Sequence, residues 1–167
     1  MSDDVPVKPP PVDAATLKAK GDEARRAGKH PDAQRLYKLA MVAAADAGDK
    51  RLVAGCLTGL GHSLADQREL RLAIQAYGDA LEMLDEKEYP RERAVLHFNL
   101  GSVCLDYHGE DRWTWVMMAG DVLKRALRYF NEKEHPNEFK AASQLLLRAE
   151  DEISRNPLAQ AEVVLDD

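Results

Sequence analysis

Small and apolar residues recur three and four positions apart along most of the chain, in segments broken by charged or glycine-containing stretches, and each segment predicts a helix. Asp13 is placed to cap a first helix from Ala14 to about Ala27, which Gly28 ends. Pro31 suits the first turn of a second, which stops near Gly48. A third spans Lys50 to Gln67, a fourth Leu70 to Glu86, and Pro90 opens a fifth that ends near Tyr107. No run of alternating β-branched residues predicts a strand.

Comparison of the chain with itself shows why the helices come in pairs. Gly21, Gly61 and Gly101 lie 40 residues apart, as do Ala33 and Ala73, Tyr37 and Tyr77, and Leu60 and Leu100. A glycine in one helix followed twelve positions later by alanine lets two antiparallel helices cross closely, with glycine facing alanine. Tyr37 and Tyr77, one turn further on, are expected to fill the wedge between one pair and the next. In the third unit Trp113 stands where the alanine is due, and Ala119, Leu123 and Ala126 repeat the pattern six residues late, so an insertion at His108 to Arg112 is expected. A seventh helix, Pro136 to Ser154, carries Phe139, Ala142, Leu145 and Leu146 on one side and would cap the last apolar face.

These units divide the chain into a Pro-rich leader over 1–12, a repeat domain over 13–155 and a tail over 156–167. Within the domain the repeats are expected at 14–49, 50–89 and 90–133, with a capping helix at 136–155.

Composition removes several functions. The net charge of −6 falls on the later part, since residues 51 to 167 hold fourteen Lys and Arg against twenty-one Asp and Glu, which disfavours nucleic acid as a partner. No apolar run is long enough for a membrane span and no signal-peptide layout opens the chain, so a cytoplasmic protein is expected. Cys56 and Cys104 lie far apart within helical patterns and read as buried thiols. The five histidines form no His pair at metal-ligand spacing and no phosphate-cradling loop occurs, so no metal, cofactor or enzymatic activity is expected.

The run Leu60-Gly61, Leu64, Ala73, Tyr77, Ala80, Leu81 resembles the tetratricopeptide signature, and Gly21, Ala24, Gly28, Ala33, Tyr37, Ala40 resemble it slightly less well. The 40-residue period is similar to the longer-helix branch of that family, found in kinesin light chains, in Leu-Gly-Asn-type regulators and in bacterial repeats associated with CHAT proteases. The resemblance implies an all-α, right-handed α-solenoid of about three helix pairs plus a C-terminal capping helix.

It also implies a concave groove lined by the first helix of each pair. Lys18, Asp22 and Arg25 would face it from the first unit, Thr58, His62 and Asp66 from the second, and Val95, Phe98, Asn99 and Ser102 from the third. Such a surface suits a partner helix or peptide. Family members that grip a heat-shock protein's terminal carboxylate place basic and amide side chains where this chain has Lys18, Asp22, Gly59, Val95 and Asn99; only Lys18 agrees, and Asp22 would repel that ligand. Trp113 and Trp115, beside the insertion, are either core or an interface anchor. The expected role is therefore a protein-binding adaptor or regulatory subunit, in a bacterial signalling or defence complex with a protease. A secretion-type chaperone and a self-assembling scaffold remain as alternatives, and the latter leaves a homo-oligomer open.

Overall fold

The computed structural model describes residues 13–155. The expected leader and tail lie outside the described residues. Within them the chain forms seven helices and no strand: α1 (Ala14–Arg26), α2 (His30–Asp46), α3 (Lys50–Asp66), α4 (Leu70–Met83), α5 (Pro90–Asp106), α6 (Arg112–Tyr129) and α7 (Pro136–Ser154).

Local chemistry sets the ends. The carboxylates of Asp13 and Asp49 accept the backbone N–H of Thr16 and Leu52, each at 2.9 Å, and so cap α1 and α3. Gly28 and Gly48 follow α1 and α2 with φ of 72°, and the next residues donate N–H back to Ala24 and Ala44 at 2.9 Å. The same closure follows α3, where Arg68 takes φ 63° and Glu69 donates to Leu64. Arg68 lies 40 residues after Gly28, so a side chain here occupies a turn that favours glycine.

The fourth helix stops at Met83 and not near Glu86 as the pattern predicts. Leu84 is extended, Asp85 accepts the N–H groups of Lys87 and Glu88, and the Arg93 guanidinium donates through Nη1 to the carbonyls of Leu81 and Leu84, each at 2.7 Å. A charged donor from the next helix thus satisfies the carbonyls that another turn of α4 would have used. The insertion in the third unit is similarly anchored. Arg112, the first residue of α6, donates through Nη1 to Cys104 and Tyr107 and through Nη2 to Glu152 of α7.

Helices pack as the pairs α1/α2, α3/α4 and α5/α6, with α7 against α6 and α5. Tyr37 and Tyr77 are almost wholly buried. A Cβ built on Gly21 would stand 2.8 Å from Tyr37 Cε1, and one on Gly61 would stand 2.6 Å from Tyr77 Cε1. Beside the expected alanines, which are wholly buried, the atoms nearest each glycine belong to the tyrosine ring, because a flat ring needs the space that an absent side chain leaves. Gly101 meets Leu123 in the same way, so the delayed pattern of α6 restores the packing with Ala119 buried. One main core runs from α3 to α7, with a smaller cluster of Ala94, Ala126 and Phe130.

Candidate functional site

The first helices of successive pairs are not equally close. α1 packs on α3 and α5 on α7, but α3 and α5 make no comparable contact. Three residues separate α2 from α3, whereas the segment from Leu84 to Tyr89 separates α4 from α5. The longer connection lets the second and third pairs stand apart.

Side chains bridge the gap at both ends. Arg51 of α3 pairs with Glu92 of α5 near their first turns. Near the other end Asn99 Nδ2 lies 3.1 Å from His62 Nε2 and donates to it when the imidazole proton sits on Nδ1. Burial first, then the Arg25 guanidinium, push His62 below its ordinary value, which keeps the ring neutral and able to accept. Between the bridges lies a cleft of about 310 Å³ lined by Lys18, Arg51, Gly55, Thr58, Arg91 and Val95 among others. Gly55 contributes no side chain to it, and Val95 is exposed.

The groove residues expected from sequence divide into two sets. Lys18 and Thr58 line the cleft. Asp22, Arg25, His62, Asp66 and Asn99 form a polar strip in which most partners are one another. Lys18 Nζ lies 2.8 Å from Asp22, the Tyr37 hydroxyl donates to the other oxygen of Asp22 at 2.8 Å, and Arg25 pairs with Asp66 at 2.9 Å. Thr58 donates its hydroxyl to the Ala54 carbonyl. Phe98 is half-buried and packs against both core clusters, and Ser102 is also half-buried.

Both tryptophans are half-buried and pack on the main core. Trp115 meets Tyr107 edge to face, with ring centres 5.6 Å apart, while its indole Nε1 is buried without a partner. Met117 and Met118, beside them, are exposed.

Sequence reasoning missed Arg51, Gly55, Arg91 and Glu92. A signal existed, because Arg51 and Arg91 lie one repeat apart at the starts of α3 and α5, as do Gly55 and Val95 one turn later. Among the described residues no group of His, Cys, Asp and Glu could hold a metal ion, and no helix is long and apolar enough to cross a membrane.

No protein-family model matches the sequence. No curated protein matches it either. Among solved structures, the crystal structure of BtubC (BKLC) from P. vanneervenii is similar to this chain at a TM-score of 0.60 and 20% identity, over 83% of this chain. The chain spans 62% of that protein's length. At this identity the likeness bears on fold alone, and α1 to α7 form an all-helical solenoid of packed helix pairs.

Proposed function

We propose that the chain is a non-catalytic protein-interaction module that holds a partner helix or extended peptide in the cleft between α3 and α5. The observation that carries this reading is an exposed Val95 opposite Gly55, which adds no side chain and is covered only by the flexible stem of Lys18, with Arg51 and Arg91 around them. An apolar side chain of the partner would enter beside Val95, and an acidic residue next to it would meet Arg91, which makes no ion pair with a described residue, while Lys18 and Arg51 are held by Asp22 and Glu92. Glu92 is engaged by Arg51 and sets the limit of the basic rim. The residues of the polar strip act as a frame that keeps α1, α3 and α5 in register, and their mutual pairing leaves them less to offer a ligand. A wider assembly, including one with a protease, would be identified through the captured partner.

Selection from a displayed peptide library on the purified protein tests this. Enriched peptides should share an apolar anchor flanked by Asp or Glu, and Val95→Glu should weaken their binding by at least about tenfold while the helical circular dichroism is retained. Peptides that bind Val95→Glu as well as the parent protein would place recognition elsewhere.

A further inference from the structure

A second cavity, also of about 310 Å³, lies on the other side of α5 from Val95, between the start of α5, the end of α6 and the segment after α4. Arg93, His97, Arg125, Arg128, Tyr129 and Glu86 line it. Three guanidinium groups therefore face one carboxylate in a small concave space, in a chain whose net charge is −6.

Two features distinguish it from an ordinary basic surface. First, buried nitrogens here lack partners. Arg93 is fixed by Nη1 on the carbonyls of Leu81 and Leu84, yet its Nε is buried with no hydrogen bond, and His97, only 7% exposed, leaves Nδ1 unsatisfied. Such groups cost free energy unless something accepts from them. They are one helical turn apart on the same face of α5. Second, Arg125 and Arg128 have neither an ion pair nor a hydrogen bond to another described residue. Arg25, Arg51, Arg112 and Arg148 are paired with carboxylates, whereas Arg35, Arg68 and Arg91 are not; Arg125 and Arg128 differ from these in sharing one cavity with Arg93.

We propose that this cavity is an oxyanion site that takes a phosphate monoester, with Arg125 and Arg128 closing on a group held beside Arg93 and His97. One carboxylate is satisfied by a single guanidinium fork, whereas three guanidinium groups and an imidazole N–H suit the three terminal oxygens of a dianionic phosphoryl group. His97 supplies a neutral donor. Burial first, then the fields of Arg93 and Arg125, push its imidazole down to about 4, so its proton stays on one nitrogen through the neutral range. The cavity volume is at the small end for ligand pockets, which fits a phosphoryl group with a short linker and not a nucleotide. The phosphoryl group belongs either to a free ester or to a modified side chain of a partner. In neither case is the cleft of α3 and α5 involved.

Calorimetric titration with inorganic phosphate, O-phosphoserine, a phosphoserine peptide and acetate, at matched ionic strength, tests the assignment. Saturable binding of the phosphates, with acetate at least about tenfold weaker, is expected. The double variant Arg125→Ala/Arg128→Ala should lose at least about tenfold for each phosphate while its melting temperature in chloride stays unchanged. Val95→Glu should bind phosphate as the parent protein does, which separates this site from the cleft. A phosphoserine peptide that binds more tightly than free phosphate assigns the site to a modified partner, and equal affinity assigns it to a free ester. Equal affinity for acetate, or a double variant that binds phosphate as tightly as the parent, would overturn the proposal.

Discussion

The ring of Tyr37 in α2 lies against the backbone of Gly59 in α3 so closely that a Cβ there would stand 2.5 Å from Cε1. Tyr37 also covers Gly21 of its own pair, so one ring joins α1, α2 and α3, and the expected filling of the wedge between pairs holds for this tyrosine. At the second junction Asn99 stands one repeat after Gly59, and the contact is replaced by the His62–Asn99 hydrogen bond beside an edge-to-face packing of His62 on Tyr77.

Replacing Gly59 with Ala should therefore destabilise the protein by about 1–3 kcal/mol, because a buried ring anchored by its hydroxyl on Asp22 has little room to withdraw. Gly78→Ala is the internal contrast. Nothing lies within 4 Å of a Cβ at that mid-helix position of α4, and the change should stabilise by roughly 0.5–1 kcal/mol. Urea denaturation of the two variants decides the matter, and equal shifts would refute the packing account.

Arg112 holds three elements at the irregular third unit, through the carbonyls of Cys104 and Tyr107 and the carboxylate of Glu152. Arg112→Lys should lower stability by about 2–3 kcal/mol, since an ammonium cannot reproduce the fork that reaches α5 and α7 together. The fluorescence of Trp113 and Trp115 should report loosening of this region before global unfolding. An unchanged unfolding midpoint would mean that the insertion is held by packing alone.

The buried His97 makes stability depend on pH. Its folded value of about 4 lies below the ordinary 6.5, so as pH falls below 6.5 the unfolded chain takes up a proton that the folded one refuses. Stability contributed by the neutral ring is complete above pH 6.5 and declines towards pH 4, by roughly 3 kcal/mol in all. In phosphate-free buffer, His97→Phe should flatten the dependence of the urea midpoint between pH 7 and 5. A slope as steep as that of the parent protein would assign it to other groups.

Cys56 and Cys104 are free and wholly buried, and burial pushes their thiols up to about 11 and about 12. Neither should react with a thiol-specific disulfide reagent at pH 8 in the native protein, while both should react within minutes in denaturant. Rapid labelling of one thiol under native conditions would reveal local opening of α3 or α5.

The fold was legible because its determinants are local and repeated. Asp13 and Asp49 as caps, Gly28 and Gly48 as stops, and the 40-residue recurrence of glycine, alanine and tyrosine each act within one helix pair, where sequence distance is also spatial distance. The residue order therefore determined seven helices, their pairing and the shifted packing of α6.

Tertiary structure alone decided how the pairs stand relative to one another. Spacing placed Lys18, Asp22, Arg25, His62 and Asp66 on one face and set Lys18 one turn from Asp22 in the same helix, but only the packed helices join Arg25 to Asp66 and Tyr37 to Asp22, leaving the opening at Gly55 and Val95. The meeting of Arg93, His97, Arg125 and Arg128 likewise depends on two helices crossing at one angle. A periodic pattern specifies which face of each helix is buried; the gap between two faces depends on connection length and side-chain volume summed over several elements, and no single stretch of sequence contains that sum.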